Sequence, residues 1–374
     1  MELSDEKKVE YIELIYDLIF VFLIGKNATL LDRVEGGFIT WGTFVNYIAS
    51  SLIVLQIWND TALLVNRFGK NGVADKLMML VNMFLLYIMG ANTIHGWDRN
   101  YAAFMGAWAL IFVNLAARYL LQYRAEEEER VRRHIRRAAA LLLAQAAFVG
   151  ASIPVWFATG CALGPWAVLL GLLAAPLLSE LPTNFAHLTE RVMLYVVFTF
   201  GDMILIVAEY FTDGLTWEAL YFALVSFLIV AGLFFSYGYV YDRLLDRSGE
   251  RGGGLYTALH IFIILGLSCV TTSLDFMRDP NVDSPRKTMM MVAALLAYFL
   301  GLALTEHWSY QEYRFRGGFL ALLAGEFAAF AAAMMASAGT GGYVTAAIAL
   351  VFVYVQLGTL LLSNVTTKKR GADG

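Results

Sequence analysis

Long apolar stretches broken by short polar loops recur from one end of the chain to the other. Spans are expected at 11–31, 40–65, 75–95, 101–123, 136–157, 164–181, 190–211, 216–240, 255–276, 287–305, 317–338 and 342–363. A helix needs about 18 apolar residues or more to cross a hydrocarbon core of roughly 30 Å, and each stretch reaches that length. The runs are continuous rather than alternating, which argues against a closed barrel. The pattern predicts an all-α, polytopic membrane protein of twelve transmembrane helices.

Two of these stretches hold charges inside the apolar run. One runs from Glu13 through Asp17 to Gly25-Lys26, the other from Glu190-Arg191 to Gly201-Asp202. Each leads through a short loop to a Thr-Trp pair, ending on Trp41 or Trp217, and then into a long apolar run closing on Asn66-Arg67 or Asp242-Arg243. Gly25-Lys26 falls on Gly201-Asp202, Trp41 on Trp217 and Arg67 on Arg243 at one offset of 176 residues, and Glu13 meets Glu190 at 177. Such anchors predict two tandem six-helix repeats, 9–182 and 184–364, in the same orientation about an axis along the membrane normal. Apolar segments also resemble one another by chance, so the argument rests on the Trp, Arg and Gly-charge anchors. Pro182, which disfavours helix continuation, marks the hinge within Ser179–Asn184.

Composition agrees with the membrane reading. Of 374 residues 59% are apolar and 16% charged, against about 25% charged in a soluble domain. With the N-terminus inside, most of the 27 basic residues fall in inner segments; Arg33, Arg99, Arg278, Arg286 and Lys287 fall in outer ones. The positive-inside rule then predicts both termini in the cytoplasm. Lys7 and Lys8 imitate the start of a signal peptide, but Glu13 and Asp17 interrupt the apolar stretch that follows. Two cysteines, Cys161 and Cys269, are too few for a disulfide framework. The Glu- and Arg-rich insertion from Arg124 to Arg137 reads as a solvated helical extension. The run from Ala321 to Ala338 reads as close helix packing through small residues.

A charge at the centre of a membrane helix costs about 2.5–3.5 kcal/mol on insertion scales, so residues that keep one there are candidates for function. Lys26 and Asp202 are the first such candidates, as an ion pair lining a polar cavity or as a structural bridge between the first and seventh helices. Glu13 and Asp17, four residues apart, project from one helix face. Their candidate partners are Arg67, Arg191, Arg243 and His187. These residues, with Asp60, Asn66 and Glu190, make an inner charge cluster that serves either as a gate or as an anchor at the interface. Glu209, seven residues beyond Asp202, extends the same polar track. Asn46, Asn82, Asn92, Asn114, Gln145 and His260 read as hydrogen-bonding glue between helices; Glu326 needs a partner or a proton. The five histidines, His95, His134, His187, His260 and His307, fall in separate segments without metal-ligand spacing. No metal, cofactor or nucleic acid is expected, and no nucleophile elbow or phosphate loop is present.

These residues resemble the signatures of the bacterial low-temperature-requirement protein A (LtrA) family. Its opening signature is similar to E-L-F-F-D-L-V-F-V-F-A, and Glu13 to Phe22 reads E-L-I-Y-D-L-I-F-V-F. Its central signature, H-x-x-E-R, matches His187-Leu-Thr-Glu190-Arg191, while Gly201-Asp202-Met203 replaces G-E-S. Asn66-Arg67-Phe68 resembles N-R-F-D with Gly69 in place of the acid, and Lys26 stands where the family has Gln. The resemblance implies a multi-helix bacterial membrane protein named for a cold-growth phenotype, with no established biochemistry.

The leading expectation is a transporter or channel-like protein with a charged site between the first and seventh helices. It would partner the bilayer and a small solute or ion, protons included. A membrane-embedded enzyme or lipid- and envelope-handling protein is the competing class, and a non-transporting sensor the third. A polar cavity reaching one face favours the first, a lipid-facing opening with clustered acid and base groups the second, and a packed core the third.

Overall fold

A computed structural model describes residues 8–93, 97–178, 181–212, 214–248, 250–313 and 317–372. Of the residues named above, Lys7, His95, Ser179 and Glu180 lie outside the described ones. Among the described residues, twelve α-helices carry the fold. They are α1 (Tyr11–Ala28), α2 (Trp41–Phe68), α3 (Val73–Ala91), α4 (Trp97–Ala125), α5 (Glu129–Thr159) and α6 (Ala167–Leu178), then α7 (Phe185–Ala208), α8 (Trp217–Tyr239), α9 (Gly254–Arg278), α10 (Ser284–Leu304), α11 (Gly317–Ala336) and α12 (Gly342–Ala372). Four two-residue strands pair as β1 (Val34–Glu35) with β2 (Phe38–Ile39) and β3 (Thr183–Asn184) with β4 (Glu250–Arg251), both antiparallel.

Ten helices are long and apolar enough to cross a membrane by length and composition. The other two are α1 and α6. Helix α1 carries Glu13, Asp17 and Lys26 within 18 residues. Helix α6 has 12 residues, about 18 Å at 1.5 Å per residue, because Pro165 and its neighbours form a 3-10 turn before it. Helix α7 starts at Phe185, five residues before its expected start, so His187, Glu190 and Arg191 all sit on the helix.

The protein divides into two compact units. Unit 1 comprises 1–31, 41–195 and 248–258; unit 2 comprises 32–40, 196–247 and 259–374. In unit 1, α4 and α5 pack along each other, and α3 packs against both α1 and α4. Helix α2 is the most embedded of the spans, with 72% of its apolar window buried, and it meets α1, α4 and α6. The start of α9 closes this unit. Tyr256 packs edge-on to Phe185 at 5.3 Å, and a Cβ on Gly253 would lie 2.0 Å from Leu188.

In unit 2, α8 packs along α12, and α11 lies against α10 and α12. The Thr216 hydroxyl accepts the Ala219 N–H at 3.0 Å and caps α8. Its last turn widens to a π-helix over Val240–Leu244. Phe330 and Phe352 stack at 4.0 Å between α11 and α12. The small residues of α11 were expected in close packing, yet Ala321, Gly325, Ala329 and Ala333 are all exposed. Trp41 and Trp217, which open α2 and α8, are also exposed, as suits aromatic side chains at a membrane–water boundary.

The tightest backbone approach in unit 2 is at Gly342, where a Cβ would lie 1.9 Å from the Met277 carbonyl oxygen. Backbone cannot yield as a side-chain tip does. Gly342→Ala is therefore expected to destabilise the protein by about 1–3 kcal/mol, read as a lower melting temperature in detergent.

Candidate functional site

Unit 1 holds a buried charged centre built by α1, α2 and the first turns of α7. Glu13 and Asp17 lie one turn apart on α1, and both are buried, with relative exposures of 3% and 0%. Arg191, itself fully buried, grips Asp17 with two nitrogens: Nε donates to Oδ2 at 3.1 Å and Nη2 to Oδ1. Trp58 of α2 donates its indole N–H to the same Oδ1 at 2.8 Å. The guanidinium carbon stands 6.0 Å from the Trp58 ring centroid, and Trp58 in turn packs on Tyr195 at 5.1 Å. The Arg191 Nη1 atom has no hydrogen-bond partner among the described residues. The carboxylate thus receives three donors, and the charge is held by a planar fork suited to it.

Glu13 meets His187, whose Nε2 lies 3.0 Å from Oε2. The tautomer of that histidine follows from its other neighbour. Asn66 accepts the Asn184 backbone N–H on Oδ1 at 2.9 Å and donates Nδ2 to the Asn184 carbonyl at 2.9 Å. This double bond to the backbone fixes which end of the amide is which. The remaining Nδ2 hydrogen points at His187 Nδ1, 3.1 Å away. Nδ1 is therefore the acceptor, and Nε2 carries the hydrogen donated to Glu13. Asn184 also accepts the His187 N–H on its own side chain at 3.0 Å, capping α7.

Arg67 lies on the same helix end as Asn66 but serves elsewhere. It donates to the Leu181 carbonyl at 2.8 Å and meets His134 at 3.4 Å, tying α2 to the segment before α7. Of the four cations weighed as partners of the α1 acids, His187 and Arg191 are in contact with them. Arg243 is exposed on the π turn of unit 2, and Glu190 is half-buried. Asp60 is buried in α2, two residues past Trp58 and so turned by about 200° from it. Lys26, in unit 1, is half-buried with its ammonium 5.6 Å from the Phe22 ring centroid. Asp202, in unit 2, is half-buried and close enough to Glu209 for the two carboxylates to act on each other. Among the described residues no three His, Cys, Asp or Glu side chains converge on a common point.

A cleft of about 470 Å³ opens beside this centre. Its walls include Lys8, Lys70, Lys76, Asp75 and Gly69, and Glu13 lines it as well. Asp75 is engaged by Arg118 of α4, and Lys76 lies over the Tyr11 ring at 5.8 Å. The Glu13–His187 bond thus adjoins a polar opening, whereas Asp17 and Arg191 have no exposed surface.

The bacterial low temperature requirement A protein (LtrA) model matches residues 8–355. The chain belongs to the LtrA family. That match runs from the first described residues into the first half of α12, so the LtrA assignment applies to both compact units. No curated protein matches the chain. Within this LtrA protein, the opening signature supplies Glu13 and Asp17, and the H-x-x-E-R signature supplies His187 and Arg191. Two partners were not foreseen from sequence. Trp58 is one indole within an apolar run, and Asn184 read only as part of a hinge, although an Asn three residues before His187 at the head of an apolar run is a helix-start signal.

Unit 2 gathers acids of its own. Asp32 follows α1, and its carboxyl is pushed up from 3.8 to about 6 by partial burial and then by the nearby Asp275 and Glu209 carboxylates. Arg278 answers part of this charge, 3.5 Å from Asp275 and 3.9 Å above the Tyr210 ring.

Both geometries have measurable consequences. Asp17→Asn leaves Arg191 buried without its counter-charge and is expected to cost roughly 3–5 kcal/mol. Adding Arg191→Gln should recover part of that loss, and a double-mutant cycle of melting stabilities in detergent measures the coupling. For Asp32, the folded state binds its proton more tightly than the unfolded state does. The resulting stability is full below the ordinary value of 3.8 and is lost as pH rises through about 6. Solvent screening limits it to about 1 kcal/mol or less. Melting curves across that window should flatten in Asp32→Asn.

Proposed function

We propose that this LtrA-family protein is a transporter or channel-like protein whose unit 1 holds an intramembrane charged site. The observation that carries the reading is the double role of Glu13, which both accepts the His187 hydrogen bond and lines an open cleft. Charges kept inside a membrane protein mark substrate and proton pathways more often than they stabilise it. A proton or a solute cation entering the cleft competes with His187 for Glu13. Once that bond breaks, the Asn66 clamp and the Asp17–Arg191 fork still hold the start of α7 to α1 and α2, while the Glu13 carboxylate turns toward the cleft. This is a local change of partners of the kind alternating access uses.

The wider reading places both termini in the cytoplasm of the bacterial inner membrane, with the Lys8, Lys70 and Lys76 cleft facing inward. Lys26, and in the second repeat Asp202 with Glu209, would extend the polar path toward the outer side. The equal lengths of the two segments that open on the recurring tryptophans, Trp41–Phe68 and Trp217–Leu244, each 28 residues, support a tandem repeat of six helices.

Reconstitution into proteoliposomes tests this reading with a panel of ions, amino acids and cationic drugs under an imposed pH gradient. Wild-type vesicles should show flux of at least one solute. Glu13→Gln should abolish the pH dependence of that flux, Asp202→Asn should reduce the flux, and Arg136→Ala, on an exposed face of α5, should leave it near wild type. Absence of flux for every solute with correctly folded, correctly inserted protein sinks the proposal.

A further inference from the structure

A second polar centre lies on the opposite side of α2, and the site above does not use it. Gln56 and Asp60 are one turn apart and project from one face. Gln56 donates to Gln145 Oε1 of α5 at 2.8 Å. Gly171 of α6 provides the space for this pair, since a Cβ there would lie 1.8 Å from Gln56 Nε2 and 3.1 Å from Gln145 Oε1. Relative exposures are 8% for Gln56, 6% for Asp60 and 0% for Gln145. One side-chain atom of each has no hydrogen-bond partner among the described residues: Asp60 Oδ2, Gln56 Oε1 and Gln145 Nε2. The bonded amides of α2 and α5, and the carboxyl one turn along α2, thus keep unused donor and acceptor capacity in the interior.

The charged and titratable groups around Asp60 are already committed. On α2 itself, Arg67 lies about two turns along and is held by the Leu181 carbonyl. From α4, Tyr119 feels both Asp60 and Arg67. His134 of α5 lies against Arg67. On α1, Asp17 is saturated by Arg191 and Trp58, and α6 carries no titratable side chain. Among the described residues Asp60 makes no ion pair. An ionised carboxyl met by the Asn59 and Gln56 amides alone, with no cation, is costly to bury, whereas a protonated one becomes a donor itself.

We propose that Asp60, with Gln56 beside it and Gln145 bonded to Gln56, is an exchangeable proton-binding site in the interior of unit 1. The proton resides on the free carboxyl oxygen, and the two amides supply acceptor and donor contacts during its exchange. This centre is separate from the Glu13–His187 pair and does not require that the protein move a solute.

Infrared difference spectroscopy of the full-length protein in lipid tests it directly. The wild type should show a protonated-carboxyl carbonyl band that shifts in heavy water and declines as pH is raised. Asp60→Asn should lose that band, Asp60→Glu should keep it at a displaced frequency, and Glu13→Gln should leave it in place. A band that persists unchanged in Asp60→Asn, or is lost in Glu13→Gln alone, overturns the proposal. So does a carboxyl signal that neither exchanges with heavy water nor responds to pH. Should Asp60→Asn not fold, the frequency shift in Asp60→Glu decides: an unshifted band excludes Asp60. Because the spectrum is read without flux, its failure and a failure of the transport reading are distinguishable.

Discussion

The bidentate contact between Asp17 and Arg191 is the constraint around which unit 1 is organised. Both side chains are wholly buried, so neither has water to fall back on, and each must be answered by protein. That requirement dictates the neighbours. Trp58 is present because its indole N–H offers a third donor while its ring offers an apolar wall and a π-face to the guanidinium. The helices that carry these groups, α1, α2 and α7, are thereby fixed in register at one level. The start of α7 is fixed a turn away by a different device, the Asn66 amide clamped to the Asn184 backbone. Charge and amide chemistry together hold a helix end that apolar packing alone would leave free to slide.

Helix α2 makes this possible by presenting polar groups on two sides. Trp58 faces α1 and α7, and Gln56 and Asp60 face α5 and α6. Few membrane helices carry so much polarity, and α2 tolerates it because it is the most buried of the spans. Its exposed counterpart in composition is α11, whose alanines and glycine point outward. The contrast is physical: polar side chains require partners on every side, while small apolar ones are indifferent to lipid.

Much of this was legible in the amino-acid order. The apolar runs gave all twelve helices, because continuous hydrophobicity is a strong signal that needs no tertiary information. The acids of α1 and the basic H-x-x-E-R segment stood out for the same reason, as charges where none are cheap. What did not show was where α7 begins. Glu190 and Arg191 fell at the very start of an expected span and His187 before it, since polarity at a helix start and polarity buried inside it look alike in sequence. Only the fold shows that Arg191 is fully enclosed. The shortness of α6 was hidden because the 3-10 turn at Pro165 is as apolar as the helix after it. Trp58 was invisible as a ligand since an indole in an apolar run has the same letter whether it faces lipid or a carboxylate.

The clamp on His187 has a consequence for the orientation of its ring. With Nδ1 facing an amide hydrogen, the ring has a single edge open to exchange, and that edge faces Glu13. The two residues therefore share one hydrogen between them rather than two. Turning the ring over would set the Asn66 amide hydrogen against a ring N–H, so the clamp and the Glu13 contact together hold one edge of the imidazole toward α1.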